Sequence, residues 1–113
     1  MTGIGGVFFR ARDPEALKAW YAEHLGLSTD APLREEGPLV WSPFRQDTDY
    51  FGPSGQQWMV NYRVNDLDAV LARLREAGAE VDEKMQEESY GRFGWAVDPE
   101  GNRFELWEPA DGQ

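Results

Sequence analysis

The chain has 113 residues, with no cysteine and a single histidine, His24. The missing thiols exclude disulfides, iron–sulfur clusters, thiolate zinc sites and a cysteine nucleophile. No apolar run exceeds four residues, which argues against a membrane-spanning helix or a secretory hydrophobic segment and favours the cytoplasm. No GxxxxGK loop occurs, and the early glycines precede a strand, so no phosphate or dinucleotide fingerprint is present.

Positive charge is also scarce, since 11 basic residues face 21 acidic ones and the net charge is -10. A nucleic-acid partner needs a basic footprint, and an anionic membrane surface would repel this chain. A cationic ligand would be attracted, although acidity also serves solubility. Aromatic residues are plentiful, with five Trp, four Tyr and six Phe, and they predict a folded core.

The two halves of the chain resemble each other. Each opens with an apolar strand, at Val7–Arg10 and at Met59–Arg63, and each closes with a strand that ends at a proline, at Asp49–Pro53 and at Glu105–Pro109. A helix follows each opening strand, so the order of strand, helix and strands occurs twice. We therefore predict an α+β fold in which residues 1–113 form one domain of two modules, about 4–53 and 58–109.

Both helices have clear starting signals. Asp13 followed by Pro14, and Asp66 in the second half, are typical helix N-caps, and Gly26 and Gly78 are suited to end the helices. One face of the first helix gathers residues expected to pack on the sheet, namely Leu17, Trp20, Tyr21, His24 and Leu25. We therefore interpret His24 as a structural residue on a core-facing stripe, not as a catalytic base.

The remaining segments have turn or loop composition. The run Asp98–Asn102 places Pro and Gly for a tight turn between strands at 94–97 and 103–107. Residues 27–38 and 85–91 have little periodicity, and each is interpreted as a loop with at most one short strand. Residues 52–57 are interpreted as the linker between the modules.

The turn and the strand that follows it, Asp98-Pro99-Glu100-Gly101-Asn102-Arg103-Phe104-Glu105-Leu106, resemble the vicinal oxygen chelate superfamily, as do Gly5–Leu27 and Asp66–Gly78. That superfamily contains glyoxalase I, extradiol dioxygenases, fosfomycin-resistance proteins and bleomycin-binding proteins. The resemblance extends from Ile4 to Pro109. It implies two tandem βαβββ modules whose mixed sheets curl into a cleft, commonly in a homodimer, but it fixes no single function.

Metal-binding members of this superfamily take one ligand from each of four strands, with histidines on the opening strands and glutamates on the closing ones. Carried over to this chain, those positions fall on Gly6, Asp49, Met59 and Glu105. Both histidines are missing, because glycine has no donor and a thioether is a poor ligand for a hard cation. The resemblance therefore predicts that no cofactor is retained. The alternative is an oxygen-only site at Asp49 and Glu105 that binds Mg²⁺ or Mn²⁺ weakly.

With Gly6 and Met59 facing the cleft, strand alternation predicts the other residues that face it. Trp95 is expected opposite Glu105, and Trp41 opposite Asp49. The predicted ligand-binding residues combine aromatic walls with a few polar anchors: Phe8, Arg10, Trp41, Asp49, Met59, Asn61, Arg63, Trp95, Glu105 and Trp107.

Three functions remain open at this point. The first is a small-molecule-binding protein of the glyoxalase and bleomycin-resistance type that sequesters an aromatic or cationic ligand without the usual divalent metal. The second is a lyase or isomerase of the glyoxalase type with Glu105 as general base and Arg10 and Arg63 as the anion-stabilising groups. The third is a domain whose main activity is dimerisation, and a homodimer is the expected state because a missing strand in the first half would expose a sheet edge.

Overall fold

The computed structural model describes residues 1–25, 33–34, 38–53 and 55–110. Its elements, in chain order, are β1 Gly3–Ala11, α1 Pro14–Leu25, β2 Leu33–Arg34, β3 Pro38–Arg45, β4 Trp58–Arg63, α2 Leu67–Glu76, β5 Glu80–Val81, β6 Gln86–Glu88, β7 Gly91–Val97 and β8 Arg103–Pro109. The predicted α+β class is confirmed: strands and two helices alternate as expected, and the strands form one curled, unclosed sheet.

The sheet has the strand order β2-β3-β1-β4-β8-β7-β5, and β6 pairs with β7 outside this path. The opening strands β1 and β4 lie side by side and antiparallel at its centre, with Phe8 opposite Met59. Each opening strand has a parallel neighbour on its outer side, β3 beside β1 and β8 beside β4. The two halves of the chain therefore meet along their opening strands in one continuous sheet.

The capping signals of both helices are confirmed. The Asp13 carboxylate accepts a hydrogen bond from Ala16 N at 3.1 Å, and the Asp66 carboxylate accepts one from Ala69 N at 3.1 Å. Gly78 follows α2 with φ +86°, a left-handed conformation that glycine adopts without strain. Gly26, which was predicted to end α1, lies outside the described residues.

Helices and cavity lie on opposite faces of the sheet. A cluster of Val64, Leu67, Leu71 and Leu106 packs α2 against the sheet, while Phe8, Phe51, Met59, Phe93, Trp95 and Trp107 form a second buried cluster on the other face. The α1 prediction was wrong in part: Leu17 and Tyr21 are half-buried, but Trp20 is 52% exposed and His24 is exposed. His24 contacts the Trp20 ring, with the ring centroids 4.8 Å apart, and its Nε2 lies 3.8 Å from a carboxylate oxygen of Glu23.

Three further sequence interpretations have outcomes here. The tight turn at Asp98–Asn102 is confirmed, since β7 and β8 pair as a hairpin around it. Within the loop predicted at 27–38, residues 26–32 and 35–37 lie outside the described residues, and Leu33–Arg34 form the short strand β2. The segment 85–91 contains the short strand β6.

Candidate functional site

A cavity of about 220 Å³ opens on the face of the sheet opposite the helices. Period-two alternation on β4 and β8 turns Asn61, Glu105 and Trp107 toward this face, while Tyr62, Phe104 and Leu106 pack toward α2. The lining of the cavity combines aromatic rings with polar groups, and its residues are Gly5, Phe8, Val40, Ser42, Phe44, Tyr50, Asn61, Gln86, Tyr90, Phe93, Glu105 and Trp107.

Two larger hollows, of about 690 and 780 Å³, surround the start of α1. Both are more open to solvent than the cavity on the sheet, and exposed residues such as Arg12 and Asp13 form part of both. A specific ligand site excludes water from most of the ligand surface. A third hollow, of about 420 Å³, lies beside the β7–β8 turn and is more enclosed, but no buried polar side chain of the described residues lines it. The cavity on the sheet is the better candidate because the buried side chains of Asn61 and Glu105 line it.

Glu105 is the most constrained polar group of the cavity, with only 1% of its surface exposed. Its Oε2 accepts hydrogen bonds from the Tyr50 hydroxyl and from Trp95 Nε1, the latter at 2.9 Å. Its Oε1 accepts a hydrogen bond from Asn61 Nδ2 at 2.6 Å. Three donors therefore fix the orientation of this carboxylate.

Burial raises the pKa values of two groups of the cavity, the Glu105 carboxyl and the Tyr50 phenol. Desolvation raises the pKa of the Glu105 carboxyl above its ordinary value, although the hydrogen bonds from Tyr50, Asn61 and Trp95 and the charge of Arg103 act against the rise. Desolvation, followed by the charge and hydrogen bond of Glu105, also raises the pKa of the Tyr50 phenol. Tyr50 therefore stays protonated at neutral pH and donates to the carboxylate.

Asn61 also contributes a buried side-chain oxygen to the cavity wall. Its side chain is 1% exposed, and its Oδ1 has no hydrogen-bond partner among the described residues. Gly5, beside a bulge in β1, makes room for this atom, because a Cβ at position 5 would collide with Asn61 Oδ1. The cavity wall therefore contains a buried acceptor that receives no hydrogen bond from the described part of the chain.

Four of the residues predicted from alternation to bind a ligand line the cavity, and several others do not. Phe8, Asn61, Glu105 and Trp107 line the cavity, and Trp95 lies opposite Glu105 as expected. Met59 and Trp95 belong to the buried cluster behind the lining. Arg10 and Arg63 do not line it: Arg10 donates to the main-chain oxygens of Gln46, Thr48 and Gln56 at 2.7–2.9 Å. Arg63 is buried beside Gly3 and Gly5.

The predicted positions of Asp49 and Trp41 are wrong. No strand forms at Asp49–Pro53, where the chain turns, and Asp49 is exposed. The strand that closes the first module is β3, which pairs with β1. Trp41 consequently lies opposite Val7, not Asp49, and contacts Phe9 and Tyr21 on the helix face of the sheet.

The register of the sheet identifies Ser42 as the residue that takes the place assigned to Asp49. Glu105 lies beside Asn61, two residues after Met59 on β4. The corresponding position on β1, two residues after Gly6, is Phe8, and its partner on β3 is Ser42. Ser42 also lines the cavity, as Glu105 does.

Comparison with known proteins identifies the family of this architecture. Residues 6–107 match the sequence model of the glyoxalase-like domain. The chain belongs to the glyoxalase-like domain family. This membership also confirms the resemblance to the vicinal oxygen chelate superfamily. A search of curated proteins finds no match.

Solved structures share the glyoxalase-like fold at low sequence identity. Methylmalonyl-CoA epimerase from Mycobacterium tuberculosis is 24% identical, with a TM-score of 0.68 over 96% of this chain and 89% of that one. A Streptomyces coelicolor methylmalonyl-CoA epimerase in complex with 2-nitronate-propionyl-CoA is 16% identical, with a TM-score of 0.74 over 97% and 99%. A protein from Legionella pneumophila described as an NAD-dependent benzaldehyde dehydrogenase is 14% identical, with a TM-score of 0.61 over 93% and 98%. These likenesses establish the fold alone.

The residues of this glyoxalase-like domain do not fit the divalent metal of the superfamily. The four positions, with β3 now placed, carry Gly6, Ser42, Met59 and Glu105, which include one carboxylate and no imidazole. Asp49 does not line the cavity. Within the described ranges no three His, Cys, Asp or Glu residues form a group able to hold a metal ion. A single carboxylate is a weak donor set for a divalent cation.

Several lining residues of the glyoxalase-like cavity were missed from the sequence. Phe93 shares its face of β7 with Trp95, so strand alternation was sufficient to find it. Ser42, Val40 and Phe44 became recognisable only with the correct closing strand. Tyr50 lies in a turn, and no periodicity of the sequence predicts its contact with a residue 55 positions away.

Proposed function

We propose that this glyoxalase-like domain binds a small organic molecule in the cavity beside Glu105 and does so without the divalent metal of its superfamily. The observation that supports this most strongly is the fixed, buried carboxylate of Glu105 at an aromatic-lined hollow of about 220 Å³. A largely apolar cavity with a few oriented polar groups is the common form of a small-molecule site.

A change that fills the cavity tests this proposal. Ser42 is half-buried in the cavity wall, so Ser42→Phe places a ring where a ligand would lie. Ala72 is exposed on α2, on the other face of the sheet, and Ala72→Phe is the matched control. Tryptophan fluorescence, recorded against a panel of aromatic and heteroaromatic compounds, measures binding to the wild type and to both variants.

We expect saturable quenching by at least one compound in the wild type and in Ala72→Phe, and a loss of at least tenfold in affinity in Ser42→Phe. Circular dichroism checks that both variants remain folded. Equal affinities in the two variants would place the binding elsewhere on the molecule. The absence of any saturable binding to the wild type would refute the proposal.

Glu105 also supports a second candidate, an isomerase or lyase in which this carboxylate is the general base. The rise in its pKa through burial is the observation in favour, since a base with a raised pKa accepts a proton more readily. However, Arg10 and Arg63, which would have to stabilise an anionic intermediate, do not line the cavity. Glu105→Gln would abolish turnover if this candidate holds, and retained turnover would exclude Glu105 as the base.

A further inference from the structure

We propose, on the premise that the cavity is a ligand site, that its ligand is a small organic monocation. Its protonated amine would donate hydrogen bonds to Glu105 and Asn61, while its apolar body contacts the aromatic walls. This inference names the ligand class that the cavity selects.

The open acceptor positions of Glu105 and Asn61 in the cavity wall require a donor. A carboxylate offers about four acceptor positions, and Glu105 uses three of them for Tyr50, Trp95 and Asn61. The buried Asn61 Oδ1 accepts no hydrogen bond from the described residues. Tyr50 already donates its only hydroxyl proton. Next to Glu105 and Asn61 the cavity therefore presents acceptors, which an N–H-bearing group satisfies, while the Ser42 and Tyr90 hydroxyls elsewhere in the lining can donate as well as accept.

The charges around the cavity favour a cationic donor over a neutral one. Among the described residues, no lysine or arginine lines the cavity. Arg103 packs over the Trp95 ring, with its guanidinium carbon 5.5 Å from the ring centroid, and pairs with Asp82 at 3.2 Å. A buried carboxylate without a cation in contact is costly, and a bound ammonium group reduces that cost.

The aromatic walls suit the remainder of such a ligand. Phe93 and Trp107 stack with centroids 5.9 Å apart, and Phe44 stacks on Tyr50 at 5.4 Å. Aromatic faces attract cations as well as apolar groups. Tyr90, which is 46% exposed, lies in contact with Phe93 and forms part of the same lining.

The same features disfavour anionic ligands. A carboxylate or phosphate group in this cavity would meet Glu105 and no lining cation, and the whole chain carries a net charge of -10. The selectivity expected here therefore differs from that needed for the CoA compounds in the structurally similar epimerases.

Three probes of one shape and different charge test the inference. Benzylamine is a cation at neutral pH, benzyl alcohol is neutral and benzoate is an anion. Isothermal titration calorimetry of the wild-type protein at moderate ionic strength should give an affinity for benzylamine at least tenfold above that for benzyl alcohol, and no measurable binding of benzoate. This comparison needs no variant.

Two variants then assign the preference to one carboxylate. In Glu105→Gln the affinity for benzylamine should be less than twofold above the affinity for benzyl alcohol. Glu100 is exposed at the β7–β8 turn, so Glu100→Gln removes the same charge from a distant site and should preserve the advantage. Benzyl alcohol or benzoate binding as tightly as benzylamine would overturn the cation inference but leave the proposed binding function standing. No saturable binding of any of the three probes would overturn the cation inference, while the fluorescence panel described above tests the binding function separately.

Discussion

Glu105 and its three donors show how one carboxyl group is oriented in an apolar cavity. Burial raises the pKa of this carboxyl, whereas the hydrogen bonds from Tyr50, Asn61 and Trp95 and the charge of Arg103 favour its ionised form. The folded protein therefore binds a proton at Glu105 more tightly than the unfolded chain does.

This difference predicts a pH-dependent stability. Above the ordinary Glu pKa of 4.5, the unfolded chain releases the Glu105 proton before the folded protein does, so the free energy of unfolding falls as pH rises through the raised pKa. Glu105→Gln removes this loss. Urea unfolding from about pH 4 to about pH 8 should show the variant gaining stability relative to the wild type as pH rises. A constant difference across this range would contradict the assigned pKa direction.

At the scale of elements, the turn that carries Tyr50 is fixed by Arg10. The Arg10 guanidinium donates to three main-chain oxygens between residues 46 and 56 and lies over the Phe51 ring at 5.2 Å. These contacts tie the segment between β3 and β4 to the sheet and place Tyr50 against Glu105. Arg10 therefore acts on the cavity as a positioning residue.

Arg10→Lys keeps the charge but loses the planar set of donors. We expect the free energy of unfolding to fall by about 1–2 kcal/mol, as is typical when hydrogen bonds from a charged group are lost. Arg45→Lys is the matched control, because Arg45 pairs with Asp47 on the surface and such pairs contribute little. Equal unfolding free energies of the two variants would show that the segment does not depend on Arg10.

The elements also show what the sequence predicts and what it does not. The helix N-caps and the turn at Asp98–Asn102 depend on local chemistry, and the sequence predicts all of them correctly. The closing strand of the first module was misplaced because β3 contains Pro38 and Pro43, and prolines are typical of strand ends and loops. The segment Asp49–Pro53 was predicted as a strand because, like Glu105–Pro109, it ends at a proline, but long-range contacts fold it as a turn.

At the scale of the whole molecule, the donor set predicts the metal content. Gly6, Ser42, Met59 and Glu105 stand at the four superfamily positions. Protein purified without chelator should therefore contain less than a tenth of an equivalent of Ni, Zn, Mn or Fe by elemental analysis. A near-stoichiometric amount of any of these metals would contradict the proposal of a metal-free site.

Association is a second property of the whole molecule. No helix among the described residues is long and apolar enough to cross a membrane. On the protein surface, Trp20 and Trp58 are 52% and 61% exposed. Exposed aromatic side chains are common at protein interfaces. The predicted homodimer should give twice the chain mass of 12.9 kDa in light scattering. A value equal to the chain mass would contradict it.

The five tryptophans provide the most direct measurement of where a ligand binds. Trp95 and Trp107 lie on the cavity face, with their indole N–H groups bonded to Glu105 and to the Tyr90 carbonyl. Trp41 and Trp58 contact Phe9, and Trp20 contacts Tyr21, all on the helix side of the sheet. In a ¹⁵N–¹H titration with benzylamine, we expect saturable shifts of the Trp95 and Trp107 indole signals alone. Shifts confined to Trp20, Trp41 and Trp58 would contradict the proposed site.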